Sequence, residues 1–261
     1  RKTKIIATLG PACSSPKTIE EMMISGVDVF RINFSHANHS EIEKIISIIR
    51  TLNRKNNCYT SILADLQGPK LRIGNVEENV NIKKGEVLEF CSEKKFIGNN
   101  KRIYVKYKRF AKDVKIGEKL LIDDGKLIFE ILETDNKFNV KARVIQGGPL
   151  FSKKGINLPN TKISMPALTE KDFEDAVFSI NQKVDWIALS FVRNGNDLNE
   201  LKKIINEKSN HKIPVISKIE KPEAIENIDQ IVSNSDGIMV ARGDLGVEVS
   251  AAKVPLIQKQ L

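Results

Sequence analysis

Short runs of apolar, β-branched residues alternate with longer segments of helical periodicity at both ends of this chain. Before residue 69, strands are predicted at 4–9, 27–35 and 60–65, with helices at 16–25 and 41–55 between them. Successive strands that are connected through helices must run parallel, because only a long crossover returns the chain to the same end of a sheet. The alternation therefore predicts an α/β fold with helices covering a parallel sheet.

The pattern changes between residues 69 and 166. Short alternating stretches are predicted as strands at 86–91, 119–122, 126–132 and 139–145, and residues typical of turns separate them. No stretch in this segment has a convincing helical stripe. The segment is therefore predicted to be an inserted antiparallel β domain that forms a small barrel.

Alternation of strands and helices resumes after residue 166. Strands are predicted at 185–191, 212–218 and 237–241, and helices at 169–181, 196–207, 222–232 and 252–261. Six parallel strands are typical of a TIM-type (β/α)8 barrel that is truncated after about six strands. The predicted domains are a first barrel part at 1–68, a β-barrel lid at 69–166 and an incomplete second barrel part at 167–261.

Composition and charge exclude several classes of protein. The net charge is +9, but the lysines are scattered with little aromatic interleaving, so no nucleic-acid partner is predicted. No apolar run approaches the roughly 20 residues of a membrane helix, and no membrane partner is expected. The 3 cysteines are widely spaced, as in a cytoplasmic protein with reduced thiols.

Three charged residues stand near the ends of two predicted strands. Lys218 and Glu220 are two residues apart, so their side chains point to the same side of a strand. Asp244 follows the strand at 237–241. If these strands are neighbours, one ammonium and two carboxylates converge. Two carboxylates suit Mg²⁺ or Mn²⁺, and a fixed cation suits chemistry that builds negative charge on a substrate oxygen.

The second predicted strand has a polar face near its carboxyl end. Arg31, Asn33 and Ser35 alternate with apolar residues in this strand. Both faces of a parallel barrel strand are covered, so three polar residues there are costly without a ligand. The pattern favours a ligand site with Arg31 as a phosphate fork, and a solvent-facing strand is the alternative.

Other polar residues leave both a functional and a structural interpretation open. Asp65 ends a predicted strand, where barrel active sites lie, but it also suits a loop cap. Lys70, Arg72 and Lys154 stand near the two ends of the inserted segment and face either a cleft or solvent. Backbone amides after Arg242 stand near a predicted helix start and suit a carboxylate or phosphate.

Six segments of the chain closely resemble the pyruvate kinase family. They are Thr3-Lys-Ile-Ile-Ala-Thr-Leu-Gly-Pro, Arg31-Ile-Asn-Phe-Ser-His, Asp65-Leu-Gln-Gly-Pro-Lys-Leu-Arg, Ser152-Lys-Lys-Gly-Ile-Asn-Leu-Pro, Ile216-Ser-Lys-Ile-Glu and Met239-Val-Ala-Arg-Gly-Asp-Leu-Gly. They follow the family's order over essentially the whole chain. The resemblance implies transfer of a phosphoryl group from phosphoenolpyruvate to ADP, which gives pyruvate and ATP.

The resemblance also implies a role for individual residues. Lys218 would neutralise the transferring phosphoryl group and the enolate oxygen, and Arg31 would bind the phosphate. Glu220 and Asp244 would hold Mg²⁺ or Mn²⁺, and the amides of Gly243 and Asp244 would bind the substrate carboxylate. The nucleotide-side residues would be Asn33, Ser35, His36, Arg72 and Lys154. The family further implies a water-excluding lid and a homotetramer in the full-length form.

One departure from the family's pattern concerns a monovalent cation. Most of the family holds K⁺ with an aspartate, the threonine after it, and an asparagine and a serine of the second strand. Asn33, Ser35 and Asp65 are present here, but Leu66 stands at the threonine position. Lys70 stands where K⁺-dependent relatives have a glutamate. These changes predict an enzyme that does not require K⁺, with Lys70 as an internal cation.

Two alternatives remain open at this point. A metal-dependent lyase or aldolase on a phosphoenolpyruvate-binding barrel would share the paired carboxylates and the arginine. It would not need the inserted domain or the nucleotide-side basic residues. An inactive ligand-binding fragment is the second alternative, because the family's next strand carries a substrate-handling threonine and this chain stops before it.

Overall fold

The computed structural model describes residues 2–35 and 38–261. It separates into two compact units. Unit 1 comprises the residues up to Pro69 together with Pro166–Ile219 and Glu223–Val240, and unit 2 comprises Lys70–Met165, Glu220–Pro222 and Ala241–Leu261. The central segment of unit 2 lies one residue inside each end of the predicted insertion. The division of the chain into functional domains stays a prediction.

Unit 1 contains a parallel sheet of six strands within the described residues. In spatial order they are β1 (Ile6–Thr8), β2 (Val29–Asn33), β3 (Ser61–Asp65), β12 (Trp186–Leu189), β13 (Val215–Ile219) and β14 (Gly237–Val240). All neighbouring pairs in this list are parallel, and their spatial order is also their order in the chain. This arrangement confirms the α/β class that the alternation predicts.

Helical segments accompany the strands of this sheet. They are the 3₁₀ helix Pro11–Cys13, α1 (Pro16–Ile24), α2 (His39–Asn56), α4 (Glu170–Asn181), α5 (Asp197–Lys208), α6 (Pro222–Glu226) and α7 (Ile228–Ser233). The predicted caps are present, because the Ser15 and Thr169 hydroxyls accept the backbone N–H groups of Thr18 and Asp172. Among the described residues, no helix is both long and apolar enough to cross a bilayer.

One predicted helix of unit 1 is divided in two. The sequence predicts a continuous helix at 222–232, but α6 ends before Asn227 and α7 begins after it. Asn227 has φ −109° and ψ 23°, outside the helical region. Its side-chain Nδ2 donates to the carbonyl oxygen of Arg193 at 3.1 Å. This tertiary hydrogen bond accompanies the break, and local periodicity does not reveal it.

Unit 2 contains a mainly antiparallel sheet. Its spatial order is β11 (Ile156–Asn157), β7 (Lys119–Ile122), β8 (Leu127–Thr134), β9 (Asn139–Gln146), β5 (Val87–Cys91) and β6 (Arg102–Tyr104), and β4 (Asn81–Ile82) pairs separately with β10 (Gly148–Pro149). The pair β5–β6 is parallel. The helices are α3 (Phe110–Asp113), α8 (Arg242–Val249) and α9 (Val254–Gln260). With 4 residues, α3 is too short to produce a helical stripe in the sequence.

Each unit buries the apolar face of its strands. In β2, Phe30 and Ile32 are 0% and 4% exposed, whereas Arg31 and Asn33 are half-buried on the other face. In β8, Leu127, Phe129 and Ile131 are buried in the same alternating way. The apolar residues of β2 therefore contribute to the core, and its polar face remains available for a site.

The turn between β8 and β9 depends on the carboxylate of Asp135. Its Oδ1 accepts the backbone N–H groups of Lys137 and Phe138 at 2.8 Å each, and that of Asn139 at 2.9 Å. Burial opposes ionisation, but these donors prevail and lower the pKa of Asp135 to about 2. The folded protein therefore stabilises the ionised form of Asp135 more than the unfolded chain does.

We predict that Asp135→Asn lowers the free energy of unfolding at neutral pH, because the three backbone N–H groups lose a charged acceptor. The loss should be only about 1 kcal/mol, because Asp135 is exposed to solvent. A depressed folded-state pKa stabilises the fold above the unfolded pKa of about 3.9, and this contribution is lost on acidification. The difference between the two proteins should therefore shrink as the pH falls through about 2.

Denaturant unfolding across acidic and neutral pH checks this prediction. Asp124→Asn is the matched control, since Asp124 is an exposed aspartate in another turn of unit 2. A stability difference for Asp135→Asn that does not change with pH would contradict the assignment.

Candidate active site

A buried carboxylate lies between two cations at the carboxyl edge of the sheet in unit 1. Asp65, at the end of β3, is 1% exposed. Arg31 on β2 donates Nε to Asp65 Oδ2 at 2.6 Å, and its Nη2 lies 2.5 Å from the same oxygen. Nζ of Lys218, on β13, lies 3.2 Å from Asp65 Oδ1. These charges compensate one another, since a buried charge without a partner is strongly unfavourable.

Ser190 completes this group, although no motif in the sequence indicates it. The hydroxyl of Ser190 donates to the carbonyl oxygen of Leu66 at 2.6 Å and accepts from Lys218 Nζ at 2.9 Å. Its Oγ also lies 3.3 Å from Asp65 Oδ1. The available signal was a polar residue directly after an apolar strand, which is the same signal that marks Asp65.

The order of the strands explains why these residues meet. β2, β3, β12 and β13 are consecutive neighbours in the sheet. Asp65 is the Cα partner of Asn33 on one side and of Ala188 on the other. Parallel strands end at the same edge, so residues near the carboxyl ends of successive strands come together there. The structure thus assembles Arg31, Asp65 and Lys218 from three separate strands.

Arg31 is held in a fixed orientation. Besides its two contacts with Asp65, its Nη1 donates to Thr8 Oγ1 at 2.8 Å. These contacts involve three of the five guanidinium N–H groups, and the side chain remains 23% exposed. The guanidinium is therefore oriented by protein contacts, and its contacts with the described residues leave N–H groups for an anion. Thr8 is a second contributor whose role the sequence alone does not indicate.

The other residues predicted in unit 1 have different environments. Asn33 Oδ1 accepts the backbone N–H of Ser35 at 3.0 Å, which shapes the turn after β2. Leu66 is 1% exposed, and its N–H donates to the carbonyl oxygen of Ala188 at 3.0 Å. His36, predicted on the nucleotide side, lies outside the described residues.

The loop after β3 is held by a buried aspartate of α4. Gly68 has φ +69°, and its N–H donates to Asp172 Oδ1 at 2.9 Å. A Cβ atom at Gly68 would lie 2.9 Å from Cβ of Ser190. Positive φ and this close approach both require glycine. Asp172 is 0% exposed, and its Oδ2 accepts from the backbone and the hydroxyl of Thr169. The loop that follows Asp65 is therefore rigidly positioned.

Unit 2 contains both predicted metal ligands. Glu220 directly follows β13 and is 1% exposed, whereas Asp244 lies in the first turn of α8 with its side chain 36% exposed. Nζ of Lys70 lies 3.5 Å from Asp244 Oδ1. No group of three or more His, Cys, Asp or Glu side chains that could hold a metal occurs among residues 2–35 and 38–261. A set of two carboxylates fits Mg²⁺, which is bound by few protein oxygens and keeps other positions for substrate and water.

Two basic residues predicted on the nucleotide side have protein partners within unit 2. Nζ of Lys154 lies 2.9 Å from Asp123 Oδ1, and Lys126 Nζ donates to Oδ2 at 3.1 Å. The hydrogen bond from Lys154 lowers the pKa of Asp123, with a further contribution from Lys126. Arg72 Nη1 donates to the carbonyl oxygen of Lys153 at 3.0 Å. Both predicted residues are thus oriented by contacts in unit 2.

Polar side chains that meet at the carboxyl ends of parallel strands, as Arg31, Asp65 and Lys218 do here, are characteristic of TIM-type barrels. A family model described as pyruvate kinase, barrel domain, matches residues 1–261. The chain therefore belongs to the pyruvate kinase barrel-domain family. The resemblance inferred from the six motifs is confirmed.

Individual relatives agree with this assignment. The chain is 42% identical over 261 residues to a pyruvate kinase of Corynebacterium glutamicum, 41% over 263 residues to one of Geobacillus stearothermophilus and 37% over 262 residues to one of Clostridium perfringens. The alignments cover 100% of this chain and 54%, 45% and 55% of those relatives, respectively. The chain thus spans about half the length of the curated relatives it matches.

We predict that Asp65→Asn lowers the free energy of unfolding by about 3–5 kcal/mol, because two buried or half-buried cations lose their shared anion. Denaturant unfolding followed by circular dichroism measures the loss. Asp185→Asn is the control, since its ion pair with Arg50 has side chains that are 35% and 31% exposed. The control should lose about 1 kcal/mol. Equal losses in the two variants would contradict a special role for the buried charge.

Proposed function

We propose that the natural protein containing this sequence transfers a phosphoryl group from phosphoenolpyruvate to ADP, giving pyruvate and ATP. The observation that carries the proposal is the ammonium of Lys218, which Asp65 and Ser190 hold in a chain of the pyruvate kinase family. Phosphoryl transfer depends on positioning and charge neutralisation more than on covalent chemistry by the protein. A fixed cation is the group that such a reaction needs.

Lys218 stabilises negative charge that develops during the transfer. Its side chain is 10% exposed, so its field is less screened than that of a surface lysine. The contacts with Ser190 Oγ and Asp65 Oδ1 fix Nζ before substrate binds. A preorganised cation of this kind stabilises an enolate oxygen and a transferring phosphoryl group without reorganising.

Arg31 binds the phosphate of phosphoenolpyruvate in this proposal. The carboxylate of Asp65 and the hydroxyl of Thr8 orient the guanidinium. Arginine suits this role because its planar set of N–H groups matches phosphate oxygens. Asp65 acts through Arg31 and Lys218 and is therefore a positioning residue.

The first turn of α8 binds the carboxylate of the substrate. The backbone N–H groups of Gly243 and Asp244 lie in the first turn of this 8-residue helix, where N–H groups have no intrahelical acceptor. Glu220 and Asp244 are the proposed ligands of Mg²⁺ or Mn²⁺. The ion, when bound, would offset the negative charge of substrate oxygens.

The proposed nucleotide-side residues are Asn33, Ser35, His36, Arg72 and Lys154. Arg72 and Lys154 are suited to the phosphates of ADP, because they carry charge and are held by Lys153 and Asp123. We further propose a cytoplasmic location and a homotetramer for the full-length form, as the family implies. A lyase or aldolase is less well supported, since the family match extends over residues 1–261.

We also propose that the protein does not require K⁺. Leu66 offers no side-chain oxygen and is buried, so one family ligand is missing. Lys70 supplies a unit of positive charge, and its ammonium lies 3.5 Å from Asp244 Oδ1. An ammonium on a flexible stem can replace the charge of a monovalent ion.

Lys218→Met should reduce phosphoryl transfer at least 10²-fold, or about 3 kcal/mol in transition-state stabilisation, as for the loss of an oxyanion-hole donor. The measurement is ADP-dependent pyruvate formation by the natural protein. Lys203→Met is the control, since Lys203 is an exposed lysine of α5 whose side chain is 75% exposed. A Lys218→Met rate within tenfold of wild type would remove Lys218 from the mechanism.

Leu66→Thr combined with Lys70→Glu should make activity dependent on K⁺, because the pair restores a ligand and replaces an ammonium with a carboxylate. Rates in Tris buffer with and without KCl, at matched ionic strength, test this. The wild type should be equally active in both buffers. Strong activation of the wild type by K⁺ would end the proposal and leave the assignment of phosphoryl transfer untouched.

A further inference from the structure

A buried ion pair in unit 2 has no role in the mechanism described above. Glu248 Oε1 accepts from Lys221 Nζ and from Asn157 Nδ2, both at 2.9 Å. The side chains of Lys221 and Glu248 are 6% and 1% exposed. Within the part of the chain that the structure describes, Glu248 Oε2 and Asn157 Oδ1 are buried without a hydrogen-bond partner.

Burying this cluster makes an unfavourable contribution to the stability of unit 2. Burial removes Lys221 and Glu248 from water, and the attraction within a buried ion pair often does not offset that loss. Each buried acceptor without a donor adds a further unfavourable contribution. Apolar residues of similar volume would often be equally or more stabilising at such positions. Stability alone therefore does not explain the presence of the pair.

Lys221 and Glu248 each stand close in the chain to one of the two proposed metal ligands. Lys221 directly follows Glu220 in the chain. Glu248 lies four residues after Asp244 on α8, and residues with this spacing share one face of a helix. The ion pair thus joins the two backbone segments that carry the proposed metal ligands. Both segments belong to unit 2.

We propose that Lys221 and Glu248 are positioning residues that set the separation of the Glu220 and Asp244 carboxylates. This inference rests on the proposed function, which assigns the metal to those carboxylates. Mg²⁺ demands near-ideal octahedral geometry, so its affinity is sensitive to small displacements of a ligand. Residues that orient metal ligands typically contribute 10–100-fold to affinity or activity.

Asn157 extends the same arrangement to the sheet of unit 2. It lies in β11, which pairs with β7, and its Nδ2 donates to the oxygen of Glu248 that also accepts from Lys221. The amide therefore helps to define the rotamer of Glu248. Because it is uncharged, its removal leaves the ion pair intact and should affect the metal ligands less than removal of either charge.

Binding of Mn²⁺ alone, measured by electron paramagnetic resonance on the natural protein, tests the inference. Glu248→Gln and Lys221→Met should each raise the Mn²⁺ Kd about tenfold or more, and Asn157→Ala should raise it less. Lys221→Arg, which keeps the charge, should bind with a Kd near that of wild type. Glu133→Gln is the matched control, because its ion pair with Lys141, at 2.8 Å, is exposed. The control should leave the Kd unchanged.

A double variant separates positioning from stability. Lys221→Met with Glu248→Leu removes both charges, so it should recover much of the melting temperature lost by either single variant. It should still bind Mn²⁺ weakly. A double variant that binds Mn²⁺ as wild type does would overturn the inference. This measurement tests the positioning role even if the single variants do not fold.

A separate variant tests the proposed function on which the inference rests. Glu220→Gln should weaken Mn²⁺ binding. If it does not, the metal assignment itself is wrong. If it does, and the ion-pair variants bind normally, only the positioning role is wrong.

Discussion

Asp65 compensates two positive charges at the carboxyl edge of the sheet in unit 1. Without this carboxylate, the two charges would repel each other. Arg31 and Lys218 approach its two oxygens from strands on either side, and the carboxylate is 1% exposed. Two cations held close together repel each other when no anion lies between them. A shared buried anion relieves this repulsion and fixes both side chains, so one residue meets the requirements of folding and of the proposed phosphate binding.

Periodicity predicted most of this architecture because strands and helices bury their apolar residues with different repeats. β2 illustrates the point, since Phe30 and Ile32 are buried while Arg31 and Asn33 lie on the other face. The break at Asn227 was not predictable in this way, because it involves a hydrogen bond to Arg193. Helix α3 was not predictable either, because a helix of 4 residues is too short to show a periodic pattern of apolar residues.

The candidate site was predictable where residue type and strand position coincided, as for Arg31 and Lys218. The sequence alone leaves both a functional and a capping role open for Asp65, since its partners Arg31 and Lys218 stand 34 and 153 residues away in the chain. Ser190 was missed because its importance depends on neighbours in space, Leu66 and Lys218, and a serine alone carries little chemical signal. The pairing of Lys154 with Asp123 was missed for the same reason.

Unit 2 consists of segments that are far apart in the chain, and this affects the order in which it folds during synthesis. Asn157 and Glu248 are 91 residues apart in sequence, and Lys70 and Asp244 are 174 residues apart. The strands of its sheet can pair as soon as residues 81–157 have been synthesised. The contacts around Glu220 and Asp244 must wait until α8 emerges from the ribosome, and such distant contacts form slowly. During synthesis, the sheet of unit 2 therefore exists before the segments that carry Glu220 and Asp244 are added to it.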